Sequence, residues 1–190
     1  MTEEKKLEAL LQEHSEDIAR LRDSTANGYA FSIVSFIYSR LKEMGPWKPE
    51  DFTLEVLFEI DMHQSALVIS YGRMFADGSR KISSKKIPAE LQATHQEIMD
   101  LRNTRYAHNG DHETISVKTE LEIDGKAVTV KDTLNSTMCL GAPQHWEPLI
   151  DWVGGYLVDQ SRKERARLTE KTGLNWKGQD GPPPSWIGAE

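Results

Sequence analysis

Apolar residues recur at helical spacing over most of this chain. Leu7, Leu10, Leu11, His14, Ile18 and Leu21 form one stripe across Glu4–Asp23, which predicts a helix with His14 on its packed or interface side. Asn27-Gly28 is expected to interrupt the helical register. A second helix then carries Ala30, Phe31, Ile33, Val34, Phe36, Ile37 and Leu41, apolar on most sides and therefore central or buried in a dimer interface. Gly45-Pro46-Trp47-Lys48-Pro49 reads as a loop in which Trp47 is expected to lid the core. From Pro49-Glu50-Asp51 a third helical stripe runs through Leu54, Leu57, Phe58, Asp61, Met62, Leu67, Val68 and Tyr71 to about Ala76, with room for a break near His63. A strand over Val56–Ile60 is the alternative reading there. Leu91, His95, Ile98 and Leu101 predict a fourth helix from Pro88 to about Ala107, closed by Asn109-Gly110.

Beyond it the period changes from helical to alternating. Ile115, Val117, Thr119, Leu121 and Ile123 precede Asp124-Gly125, and Val128 and Val130 follow, so residues 114–131 predict a β-hairpin. A turn on Asp124-Gly125 pairs Ile123 with Lys126, Leu121 with Val128 and Thr119 with Val130, and such a hairpin would wall the segment before it. Gln144 to about Lys171 predicts the last helix, whose charged end from Arg162 onward is expected to project into solvent. The fold class is thus mainly α: an up-and-down bundle of four to five helices with one inserted hairpin, spanning residues 1–172. Residues 173–190, rich in Gly and Pro, form a tail that is expected to be disordered or draped, with Trp176 and Trp186 docking it or binding a partner.

A length of 190 residues suits one domain with a real core. No run of about eighteen apolar residues exists, so no membrane span is expected. The polar opening Met1-Thr2-Glu3-Glu4-Lys5-Lys6 leads into no apolar signal core, and Cys139 is the only cysteine; both favour a cytoplasmic protein. Cys139, with no activating base in view, reads as a small semi-buried residue. The net charge of −7 argues against general nucleic-acid binding, and DNA is not an expected partner. The charge is uneven, however. Residues 66–110 hold seven Lys/Arg (Arg73, Arg80, Lys81, Lys85, Lys86, Arg102 and Arg105) against four Asp/Glu. They form either a phosphate-attracting surface or simply a solvated basic loop.

The chemistry-bearing groups concentrate in that section. Asp100-Leu101-Arg102-Asn103-Thr104-Arg105-Tyr106-Ala107-His108-Asn109-Gly110-Asp111 packs two arginines, a tyrosine, a histidine and two amides into one helix end. On a regular helix Arg102 and Tyr106 share a face, and Arg105 and His108 share another. Arg102 and His108 lie roughly 240° apart on such a helix, so they converge only if the chain unwinds or two copies meet across a dimer axis. Arginine offers a planar cationic fork for a phosphate, and histidine moves protons near neutral pH.

Arg102-Asn103 followed by Ala107-His108, within "LRNTRYAH", resembles the arginine–histidine signature of the HEPN superfamily, and in particular its bacterial abortive-infection and toxin-type members. The apolar helices Ser65–Ala76 and Pro88–Leu101 are similar as well; the likeness is loose over about residues 25–165 and sharp over about ten. The resemblance implies a homodimer with the motif at its interface and a metal-independent endoribonuclease without cofactor, possessing an RNA substrate and held in check by an antitoxin-like partner. Arg102, Asn103 and His108 would be catalytic, and Arg105, Tyr106, Lys85 and Lys86 would hold substrate. The alternative is an inactive HEPN-like dimeric binding or regulatory module, with Arg102 paired to Asp100, Glu97 or another helix's acid and His108 capping the helix end. A metal site on His108, Asp111, His112 and Glu113 is a third reading, although that spacing matches no zinc signature.

Overall fold

A computed structural model describes residues 2–45, 47–76, 81–106, 115–136 and 141–178. The chain is mainly helical. Five α-helices are present, α1 (Glu3–Glu13), α2 (Ser15–Glu43), α3 (Leu54–Arg73), α4 (Gln92–Asp100) and α5 (Glu147–Thr172), together with an antiparallel hairpin of β1 (Ile115–Asp124) and β2 (Ala127–Ser136). Among the described residues no helix is long and apolar enough to cross a membrane.

The core forms where three helical stripes meet. α2 contributes Val34, Ile37, Tyr38 and Leu41, α3 contributes Ile60, Leu67, Val68 and Tyr71, and α5 contributes Leu149, Ile150, Val153 and Leu157. Each set repeats at three- and four-residue steps, so each helix buries one face, and α2 is the shared partner of α3 and α5. Ile98 of α4, Trp146, and Met74, Phe75, Ile82 and Ile87 from the segment after α3 complete the core. Trp47 stacks on Phe52 at 5.8 Å and packs against the cluster, as expected of a lid. α2 and α5 run antiparallel. Lys42 at the end of α2 donates to Glu147 at the start of α5, while Asp17 at the start of α2 accepts from Lys171 and pairs with Arg167 at the end of α5. That cationic grip, led by the Lys171 hydrogen bond, holds the Asp17 carboxyl below its ordinary range.

Three sequence expectations change. The helix break falls at His14, not at Asn27-Gly28, and α2 runs straight through the glycine because Asn27 is buried and Gly28 faces open space. α1 consequently buries no residue and leaves Leu7 and Leu11 exposed. The third helical stripe, in contrast, holds as read: α3 is continuous past His63, with Thr53 capping it through the Val56 amide, and the alternative strand at Val56–Ile60 does not form. The charged end of α5 does not project into solvent, because Glu164 and Leu168 are buried and Arg167 and Lys171 hold Asp17.

The hairpin's turn shifts by one residue. Gly125-Lys126 occupies it, with Gly125 at φ 57°, so Asp124 pairs with Ala127, Ile123 with Val128 and Leu121 with Val130. Relative to the expected pairing each partner moves by two residues, an even step that keeps the apolar side chains on one face. The reason is turn chemistry: the left-handed position falls to the glycine, with Asp124 closing the ladder. Val117, Leu121, Ile123, Val128 and Val130 are all exposed.

Candidate functional site

The motif helix spans the predicted stretch but is less regular than predicted. A 3-10 turn at Ala89–Leu91 leads into α4, and from Leu101 to Tyr106 the chain widens into a π-helical turn. A π turn bonds each amide one residue further back than an α-helix does, and such turns are rare. The Thr104 hydroxyl donates to the Asp100 carbonyl at 2.6 Å, the acceptor its own amide would serve in a regular helix.

This widening redistributes the polar groups. Arg105 donates through Nη2 to Asp61 Oδ1 of α3 at 2.7 Å, and the Tyr106 hydroxyl reaches the same oxygen at 3.4 Å. The Arg105 guanidinium also lies 5.1 Å from the centre of the Tyr106 ring. Tyr106 therefore joins Arg105, not Arg102, contrary to the α-helical spacing. The Arg105 side chain is 5% exposed, and its charge pairs with Asp61 within the fold.

Arg102 goes elsewhere. Its aliphatic stem lies against Gly72 of α3: a methyl group built on that glycine would sit 3.0 Å from both Cγ and Cδ of the arginine. Its Nη1 donates to Asn103 Oδ1 at 2.8 Å. Asp61 and Gly72 are eleven positions apart on α3, about 16 Å along its axis at 1.5 Å per residue. The two arginines thus splay toward different ends of one helix.

The acids available to neutralise Arg102 are engaged with other groups. Glu97 accepts from His145 at 2.8 Å and from Trp146 Nε1 at 3.0 Å, and Asp100 accepts from Gln96. Among the described residues no carboxylate pairs with Arg102. His108, Asp111, His112 and Glu113 lie outside the described residues, as does Cys139.

Of the described lysines in the basic section, Lys86 is held by an aromatic partner. Lys86 turns to α5, where it donates to the Tyr156 hydroxyl at 3.1 Å and sits 5.3 Å above that ring. Lys85, beside it in the Ser84–Lys86 turn, is exposed. Arg80 falls outside the described residues.

Behind the π turn, α4 is anchored by a buried aromatic group. His95 Nδ1 and the Tyr71 hydroxyl share a 2.7 Å hydrogen bond, and Phe75 packs on the imidazole at 4.6 Å between ring centres. Burial pushes the His95 pKa down and that of the Tyr71 phenol up, so both stay neutral.

Two contributors escaped the sequence reading: Asp61 and Gly72. Each left a signal, since an acid stood on the apolar stripe of α3 and a glycine stood inside a helical run. Compared with family models, with curated proteins and with solved structures, the chain matches none of them.

Proposed function

We propose that this protein is a metal-independent endoribonuclease of HEPN type, in which Arg102 binds the scissile phosphate and His108 handles the proton. The substrate's 2′-hydroxyl attacks phosphorus, the bond to the 5′-oxygen breaks, and the products are a 2′,3′-cyclic phosphate and a free 5′-hydroxyl. His108 takes the proton from the 2′-hydroxyl or delivers one to the leaving oxygen. Arg102 offsets the charge that develops on the phosphoryl oxygens.

The observation that carries this reading is the state of Arg102. It is cradled on Gly72, oriented by Asn103 and unpaired with any described carboxylate, whereas its neighbour Arg105 is neutralised. A guanidinium held in place with no carboxylate partner among the described residues suits an anionic ligand better than a structural cross-link. The π turn beneath it is a feature that recurs at functional sites. Asn103 then acts by orienting Arg102, and Arg105 and Tyr106 act by pinning the π turn to α3, a positioning role in place of direct substrate contact. A homodimer completes the site in this reading. α3 presents Leu54, Phe58 and Met62 on an exposed face of the same helix that holds Asp61, with Phe58 66% exposed.

The test compares wild type with Arg102→Ala and His108→Ala on total cellular RNA in EDTA, with product ends mapped and folding checked by circular dichroism. Cyclic-phosphate ends from wild type, and intact RNA with both folded variants, are the expected outcome. Intact RNA with a wild-type dimer at high concentration would overturn it in favour of an inactive HEPN-like binding module.

A further inference from the structure

The chain does not leave α5 when the helix ends. Gly173, at φ 66°, closes α5 with a left-handed turn, and its amide donates to Thr169. The residues after it fold back along the helix they have just left. Trp176 donates from its backbone amide to the Thr169 hydroxyl and from Nε1 to the Thr172 hydroxyl. Gly178 comes up against Arg165, whose Nη1 lies 3.0 Å from where a side chain on that glycine would begin. The contact point has therefore moved from Thr172 to Thr169 to Arg165, steadily back toward the start of α5.

An open groove of about 710 Å³ begins at that point. Lys177, Gly178 and Arg165 line one end of it, and from there it runs between α2 and α5 past Val158 and Tyr29 to Phe31 and Gly154. Its walls are mainly apolar, and two of them are conspicuously uncovered: Tyr29 is 71% exposed and Val158 is 50% exposed. Gly28 leaves the floor open, with nothing within 4 Å of a side chain built there.

We infer that the C-terminal segment, residues 179–190 of this same chain, occupies the groove between α2 and α5. Twelve residues follow Gly178, and they include Pro182-Pro183-Pro184, Trp186 and Ile187. The direction is already set by the Thr172, Thr169 and Arg165 contacts. The reach is sufficient, since Arg165 to Gly154 is about 16 Å along α5, while about five residues of polyproline-type chain at 3.1 Å each cover that distance. The chemistry also matches, because proline-rich segments hold an extended form without internal hydrogen bonds and dock into grooves lined by aromatic rings, here Tyr29 and Phe31. Asp180 enters beside Arg165 and Lys177 at the groove's cationic end. Trp186 seats at the far end, against Phe31, and covers the apolar surface that α2 and α5 leave open.

The experiment uses the full chain with the photo-reactive residue p-benzoylphenylalanine in place of Trp186, irradiated as an equal mixture of isotopically heavy and light protein. Cross-links within one chain, from position 186 to residues 21–32 or 154–165, are expected. In Gly28→Arg, whose Cβ meets nothing within 4 Å and whose longer side chain extends into the groove, their yield is expected to fall about tenfold. Val158→Asp is the second variant, expected to act in the same way should Gly28→Arg fail to fold. Mixed heavy–light cross-links, which would seat a second copy in the groove, overturn the inference. So do cross-links to other surfaces, no cross-links, or a yield indifferent to a folded groove variant.

Discussion

Arg105 and Asp61 meet at 2.7 Å across the packing of the π turn on α3, with the guanidinium 5% and the carboxylate 40% exposed. The two partners are thus unequally buried, and their removal is expected to have unequal consequences. Asp61→Ala strips a buried cation of its Asp61 partner, whereas Arg105→Met leaves a carboxylate that water can still solvate. We expect Asp61→Ala to cost about 2 kcal/mol, short of the roughly 3–5 of a fully buried pair, and Arg105→Met to cost less. Urea unfolding of the two variants decides the order, and equal costs would mean that the pair is not asymmetric in this way.

Gly72 faces a different test, because it receives Arg102 instead of an acid. Gly72→Ala would place a methyl group 3.0 Å from Cγ and Cδ of Arg102, so the arginine stem has to move. Crowding opposes the gain in helix propensity, and stability should change by no more than about 1 kcal/mol. If Arg102 holds the scissile phosphate, a displacement near 1 Å is expected to lower RNA cleavage on the order of a hundredfold. Cleavage at the wild-type rate by a folded Gly72→Ala protein would remove Arg102 from that role.

His95 gives the fold a pH dependence of known sign. Its folded pKa lies below the ordinary histidine value of 6.5 because the ring is buried. The unfolded chain therefore binds the proton more readily, so stability is full above pH 6.5 and declines as the pH falls below it toward the folded value. In urea unfolding, wild type is expected to lose stability between pH 7.5 and about 5.5, and His95→Gln to lose less over the same interval. A variant with the wild-type slope would assign the loss to other groups.

The hairpin is expected to respond independently of the helices. Every strand residue whose burial is described is exposed, including the apolar face from Val117 to Val130. Gly125→Ala forces an ordinary residue into the left-handed turn at φ 57°, at a cost of about 1–2 kcal/mol. Amide exchange should then quicken across Ile115–Ser136 while α2, α3 and α5 keep their protection. Loss of helix protection in this variant would show that the strands brace the bundle.

Periodicity was enough for the helices that bury a face. The three- and four-residue steps of Val34–Leu41, Ile60–Tyr71 and Leu149–Leu157 recur as the buried stripes of α2, α3 and α5, because a helix presents one side to a core wherever it packs. The alternation around Gly125 likewise located the hairpin and its apolar face, since period two survives an even shift of register. Local pattern failed where a distant group sets the outcome. The spacing of Arg102, Arg105 and Tyr106 assumed α-helical pitch, but Asp61, forty-four residues before Arg105, holds Arg105 and Tyr106 together on a π turn. Gly72 could not be known as the seat of Arg102 until α3 and the π turn were laid side by side. The charged end of α5 looked solvent-facing because Asp17, which binds it, lies at the other end of the chain. Apolar burial follows a repeating pattern that can be read along the chain, whereas a hydrogen bond or an ion pair depends on single partners that only packing brings within reach.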